Sequence, residues 1–248
     1  MTPNPPRIPT RHQPRGFHIL HEDRDIIVGN KVAGFLTVRA LWNKDGSIHA
    51  ALNRYVRKGN SRSRKCVYVV HRLDQDTSGV LVFAKTIQAQ TFLKDHWKDT
   101  VKTYYAVVHG RFIEKEGTIT SYLAEDDDYV MHATDSTQGK LARTGYKVVK
   151  ERGPFGLVKI DLLTGRKNQI RVHFADAGHP VVGDTRYGRR GKRFARLALH
   201  AQAMTLTHPF SGERLTFETE LPEFFGTLLK NSDRLLKNSD RHQLFPES

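Results

Sequence analysis

Along most of its length the chain offers short β-branched and aromatic runs broken by turn residues, and this limits the fold more than any other feature. DIIVG and FLTV flank KVAG, VYVV and GVLVFA flank a polar loop, and TYYAVV, GLVKIDLL, RLALHAQAMTL and RLTFET follow. Runs of this kind, bounded by Gly, Pro, Asn and Asp, predict strands. Only two stretches carry helical spacing. In TIQAQTFLKDHW, Thr86 is placed to cap the first turn, and Ala89, Phe92, Leu93, His96 and Trp97 recur at i, i+3, i+4, i+7 and i+8. In NQIRVHFADAGHP, Ile170, Phe174 and Ala177 share a face, and Gly178 and Pro180 end the run. THPFSGERLTF, with Pro-Phe-Ser-Gly between apolar runs, predicts a hairpin. Many strands, few helices and no strict βαβ alternation predict an α+β fold around a mainly antiparallel sheet.

At 248 residues there is enough chain for a full core. Residues 1–16 are proline-rich and predict a flexible arm; 17–225 form the body. LLKNSDRLLKNSDR at 228–241 is a tandem seven-residue repeat, too short for a coiled coil, so 226–248 reads as a tail. No run of about 18 apolar residues exists to cross a membrane, and the N-terminus lacks the apolar core of a secretory signal. The single cysteine, Cys66, cannot form an intramolecular disulfide and in KCVYVV is expected to be a small buried residue. A cytoplasmic, monomeric protein is the expectation.

Forty Lys and Arg against 26 Asp and Glu give a net charge of +14, which suits a polyphosphate partner. The charge is clustered. RYVRKGNSRSRK holds Arg54, Arg57, Lys58, Arg62, Arg64 and Lys65 among Gly and Ser, as a flexible basic loop would. RYGRRGKRFAR sets Arg186, Arg189, Arg190, Lys192, Arg193 and Arg196 around Tyr187 and Phe194, aromatics able to stack on unpaired bases. Each is either a phosphate-contacting element or a solvated loop. Neither G-x-x-x-x-G-K-[ST] nor G-x-G-x-x-G is present, and no H-E-x-x-H or Cys/His cluster offers a metal site. Ser78 lies in DTSGV, outside a G-x-S-x-G elbow. An enzyme built on this chain is expected to work without cofactor or metal.

One stretch, HRLDQDTSGVLVFAKT at 71–86, sets two carboxylates, Asp74 and Asp76, between apolar runs. If VYVVHRLD continues as a strand, period two puts Tyr68, Val70, Arg72 and Asp74 on one face. Asp76 opens D-T-S-G, where a short acid can accept hydrogen bonds from turn N–H groups. Asp74 has less structural explanation, and propensity leaves it either a chemical group or a second turn residue.

HRLDQDTSGVLVFAKT resembles the HRLDxxTSGLLLFAK signature of RNA pseudouridine synthases, in the branch acting on large-subunit ribosomal RNA and some transfer RNAs. HILHEDRDIIVGNKVAGFLTV resembles the family's entry strands, and KTYYAVVHG its K-x-Y-x-A-x-V-x-G strand. LLTGRKNQIRVHFADAGHPVVGDTRYG resembles TGRxHQIRxHxxxxGHPxxGDxxYG, and RLALHAQAMTLTHPFSGERLTFETELP the closing RLxLHAxxLxFxHP segment. Together they cover 17–225 in the family's order. The resemblance implies a pseudouridine synthase fold: a mixed, mainly antiparallel sheet with flanking helices and loops around a central RNA-binding cleft.

It further implies that Asp74 is the catalytic aspartate, that Tyr104 packs against or acts beside the target base, and that Arg171 pairs with Asp74. Arg72 is expected to help hold RNA with its nucleotide flipped out, with Arg54, Arg57, Lys58, Arg62, Arg64, Arg166, Arg186, Arg189 and Arg190 as further RNA contacts. Uridine becomes pseudouridine when its base detaches, turns and reattaches through C5, which needs no redox step. A carboxylate can attack ring or sugar or assist deprotonation, and a neighbouring arginine favours its ionised form. Flipping costs a few kcal/mol, which basic contacts offset. Three departures from the family pattern stand out. Asn168 replaces the usual His of TGRxHQIR, Val32 replaces a Pro and should loosen that turn, and no separate N-terminal RNA-binding domain fits before residue 17. The expected activity is site-specific isomerisation of uridine in ribosomal or transfer RNA. The alternatives are a non-catalytic RNA-binding or RNA-folding protein on the same scaffold, and a binder of acidic protein.

Overall fold

A computed structural model describes residues 9, 12–40, 46–134, 139–188 and 194–230. The chain forms two compact units, Met1–Thr103 with Ala201–Glu220, and Tyr104–His200 with Leu221–Ser248. Antiparallel strands dominate both, with four α-helices among the described residues, and the class is α+β.

In the first unit β1 (Phe17–Glu22), β2 (Ile26–Lys31), β4 (Ser78–Ala84) and β10 (Leu199–Thr207) lie side by side; β3 (Tyr68–Val69) pairs with β4 and β11 (Arg214–Glu218) with β10. Every residue of β4 is buried, as its unbroken SGVLVFA run requires of a central strand covered on both faces. Ile26, Val28, Val80, Val82, Met204, Leu206 and Phe217 form the core, with Ala89 and Leu93 of α2 (Ile87–Asp95) packed on it. Thr86 caps α2 as predicted, its Oγ1 accepting from Ala89 N–H at 3.1 Å. His96 and Trp97 fall beyond its end, where a single 3₁₀ turn follows. The predicted hairpin is present between β10 and β11.

Helix α1 (Ile48–Arg57) was not expected. Ser47 Oγ caps it, accepting from Ala50 N–H, and Ile48, Ala51, Leu52 and Val56 bury one face. Arg54 and Arg57 therefore stand on a helix, and only the residues from Lys58 to Lys65 form a loop. FLTV, read as a strand, contributes only an isolated bridge from Leu36 to Ser47. Strand β3 ends at Val69, so VYVVHRLD is not one continuous strand.

In the second unit the order is β5 (Val101–His109), β9 (Phe155–Leu162), β8 (Lys140–Arg152), β6 (Glu116–Glu125), β7 (Met131–Thr134). Helix α3 (Gln169–Asp176) matches the second predicted helix. Helix α4 (Glu223–Lys230) crosses residue 226, where the tail was expected to begin, and buries Phe225, Leu228 and Leu229. The rest of the repeat, with Arg189 and Arg190, lies outside the described residues. No helix among the described residues is long and apolar enough to cross a membrane.

Candidate active site

Between β3 and β4 the chain crosses residues 70–77 without regular structure, and distant side chains fix its backbone. Thr37 Oγ1 donates to the Leu73 carbonyl at 2.8 Å and accepts the Leu73 N–H at 3.1 Å, while the Leu73 side chain is buried. Lys31 is fully buried at the end of β2. Its Nζ donates to the carbonyls of Gln75 (2.8 Å), Phe35 (2.7 Å) and Val32 (3.2 Å), so the ammonium's three protons meet three acceptors. Gln75 O also accepts from Gly34 N–H, and Gln75 Nε2 donates to Gly34 O. His71 Nε2 accepts from Val82 N–H at 3.2 Å, with Trp97 against its ring. Desolvation of the imidazole, with Lys102 nearby, pushes its pKa down to about 3, so the ring is neutral at physiological pH and fit for that acceptor role.

Asp74, half-buried, thus sits between two pinned neighbours, and its carbonyl accepts from Thr77 N–H to close the turn. Asp76 does not play the part expected of it. It is exposed and its carboxylate makes no hydrogen bond among the described residues; the turn is closed by Asp74 O. Gly79, at φ +119°, admits no side chain, since a Cβ would meet Ala201 O at 2.1 Å. Arg72 is exposed on the same loop. Val32 does not loosen its turn: its N–H donates to Gly16 O at 2.9 Å, a bond Pro cannot make.

In the second unit, α3 is seated by two buried polar side chains. Gln169 accepts at Oε1 from Thr164 Oγ1 and Arg166 N–H, and donates through Nε2 to Arg143 O and Thr144 Oγ1. The His173 ring bonds Thr144 Oγ1 and Ser121 Oγ, and burial lowers its pKa. Arg171 on this helix is held bidentately by Asp184, Nε to Oδ2 at 2.7 Å and Nη2 to Oδ1 at 2.8 Å, with its guanidinium 5.1 Å from the centre of the Tyr187 ring. Asp184 is buried. Burial alone would raise its pKa, but the Arg171 pair and the N–H groups of Tyr187 and Arg186 outweigh that and hold it below the ordinary carboxylate range. Asn168 takes the left-handed conformation (φ 51°) that Asn tolerates, and its Oδ1 accepts from Tyr187 Oη. Tyr104 is buried on β5.

Of the residues expected to contact RNA, Arg186 shares the Asp184 turn and Arg166 stands exposed at the start of α3, its Nε donating to Leu141 O. Lys58, Arg62 and Arg64 are exposed on the loop after α1. Lys31, Thr37 and Asp184 were not singled out in advance. Each acts on the candidate residues from a position that only the folded chain brings near.

Residues 25–176 match the family described as RNA pseudouridylate synthase. The chain belongs to that family. It is 39% identical over 211 residues to the "Uncharacterized RNA pseudouridine synthase YhcT" of Bacillus subtilis, covering 82% of this chain and 68% of that one. It is 37% identical over 223 residues to "Ribosomal large subunit pseudouridine synthase D" of Nitrosomonas europaea, covering 86% and 64%. A solved structure titled "Human RNA Pseudouridylate Synthase Domain Containing 1" superposes with TM-score 0.70 at 26% identity, covering 95% of this chain and 98% of that one. The pseudouridine synthase is thus an isomerase that acts on RNA, and a purely non-catalytic role is not favoured.

Proposed function

We propose that this pseudouridine synthase isomerises a specific uridine in structured ribosomal RNA, with Asp74 as the catalytic carboxylate and Tyr104 and Arg171 as the residues that work with it. The observation that carries the reading is the double pinning around Asp74: Thr37 grips Leu73 and Lys31 grips Gln75. A group that must meet one atom of a flipped nucleotide gains most from such fixing before substrate arrives. Arg171 is oriented by Asp184, which suits a cation that keeps a carboxylate ionised; buried Tyr104 offers a ring for stacking and a hydroxyl for proton relay. The ribosomal assignment draws on the relatives named for the large ribosomal subunit.

Tritium release from RNA containing 5-tritiated uridine tests the chemistry. Asp74→Asn and Asp74→Ala are expected to abolish release while retaining RNA binding, and release persisting in both removes Asp74 from the mechanism. Pseudouridine maps of total RNA from cells with and without the gene are expected to differ at a ribosomal position. A difference confined to transfer RNA would reassign the substrate.

A further inference from the structure

Tyr68 and Val69 run antiparallel to Ala84 and Phe83 of β4, and the two ends of β4 mark two places in the first unit. Lys31 pairs with Gly79 at one end, beside the turn that carries Asp74. At the other end, six residues further on and about 20 Å away at the rise of a strand, lies Lys85. There the β1–β2 turn, the end of α1 and Cys66 surround a cavity of about 620 Å³.

Four cationic side chains, Arg24, Lys58, Lys65 and Lys85, and two carboxylates, Glu22 and Asp23, line it. The carboxylates are already engaged. Glu22 accepts from Lys85 Nζ and from Tyr55 Oη, each at 2.8 Å; burial and that bond push the Tyr55 hydroxyl up to about 12, so it stays a donor. Asp23 turns inward: Oδ1 accepts from the N–H groups of Asp25 and Ile26, and Oδ2 bonds Nε2 of His21 (2.6 Å) and of His208 (3.0 Å). Partial burial would raise the Asp23 pKa, but the His21 and backbone bonds hold it below the carboxylate range, so it remains an anion tied to its own turn. Lys85 is taken up by Glu22 and the Asp23 carbonyl. Among the described residues, Arg24, Lys58 and Lys65 have no carboxylate within ion-pair distance. All three are exposed, and Lys58 and Lys65 bound the loop that also carries Arg62 and Arg64.

We infer that this cavity is a second RNA-binding site, taking phosphodiester groups of the substrate about 20 Å from the uridine at Asp74. The inference rests on the RNA-modifying reading above. Three cations around a concave wall suit phosphate, and their continuity with the exposed basic loop favours a polymer over a free nucleotide. The enzyme therefore grips its RNA at two separated points and discriminates against fragments too short to reach both.

Cys66, the only cysteine in the chain, lines the cavity and reports its occupancy. The full chain is treated with N-ethylmaleimide alone, with ribosomal RNA fragments graded by length, with uridine monophosphate, with inorganic phosphate and with polyglutamate. Long fragments are expected to slow Cys66 alkylation several-fold while fragments too short to span the strand do not. The triple variant Arg24→Gln, Lys58→Gln, Lys65→Gln is expected to lose that protection and to lower the slope of log affinity against log salt by about 2 to 3. Unchanged protection and slope in the variant overturn the site. Equal protection by uridine monophosphate or phosphate reassigns the cavity to a free anion, and stronger protection by polyglutamate to an acidic protein; either outcome overturns the RNA assignment. Tritium release separates the two readings. A chain that protects Cys66 with RNA yet releases no tritium loses the isomerase reading and keeps the cavity.

Discussion

Two eight-residue connections of the first unit, 70–77 and 58–65, are held in opposite ways. The first is tied by Lys31, Thr37 and Gly34, all distant in sequence, and by Val82 of the strand that follows it. The second bonds only within its own neighbourhood. Ser63 N–H reaches Asn60 O, Arg62 N–H reaches Asn60 Oδ1, Lys65 N–H reaches Ser63 Oγ, and Arg57 Nε reaches Lys65 O. A carboxylate that must meet one atom gains from a backbone that does not move, whereas a basic strap that meets a polyanion gains from one that adjusts. The contrast predicts that damage to the first connection costs stability and activity together, and damage to the second costs neither stability nor chemistry.

The largest effect is expected at Lys31. Lys31→Met keeps the stem but removes the donor from the Val32 and Phe35 carbonyls, each costing about 1–3 kcal/mol where water cannot replace it, while Gln75 O keeps only its bond from Gly34 N–H. A loss of at least about 2 kcal/mol in urea unfolding is expected, with turnover falling further than RNA affinity. A variant that unfolds like the parent and turns over normally would show that the pinning of Gln75 does not matter.

His71 gives the next effect, and its sign follows from linkage. Its pKa in the folded chain is lowered from 6.5 to about 3, so as pH falls below 6.5 the unfolded chain takes up a proton that the folded chain refuses. The folded state is penalised increasingly from about pH 6.5 down to about pH 3. Relative to His71→Gln, the parent is expected to lose about 2 kcal/mol more stability between pH 7 and pH 5, at 1.36 kcal/mol per unit. Parallel stability profiles for the two proteins would place the imidazole in contact with water.

The same contrast marks what could be read from the sequence. Helix α2 and the β10–β11 hairpin were legible because cap, period and turn residues are local signals. Helix α1 carries equally local signals, Ser47 followed by Ile48, Ala51, Leu52 and Val56, but its arginines run into the Gly- and Ser-containing stretch and masked them. Strands β6 and β8 passed unread because their half-exposed sequences contain no apolar run. Asp74 drew notice through its neighbours in the chain, whereas its supports did not: Lys31 lies 44 residues from Gln75, and Thr37 lies 36 from Leu73. Arg171 was likewise marked by its motif, and its anchor Asp184 became visible only when α3 packed beside the turn at 184–187.

The smallest effect on stability belongs to the basic loop, and it is the sharpest test of the comparison. Arg62 and Arg64 are exposed, and neither side chain makes an ion pair among the described residues. Surface substitutions of this kind shift stability by no more than about 0.5 kcal/mol. Arg62→Gln with Arg64→Gln is therefore expected to unfold with the parent. Its RNA affinity should weaken uniformly across sequences, and the salt slope should drop by about 1 for each phosphate that the variant no longer neutralises. Tritium release at saturating RNA should match the parent, because the bonds that hold Asp74 lie at the other end of β4. A fall in saturated turnover without a change in salt slope would mean that this loop acts on the chemistry, and the division between a fixed connection and an adjustable one would not hold.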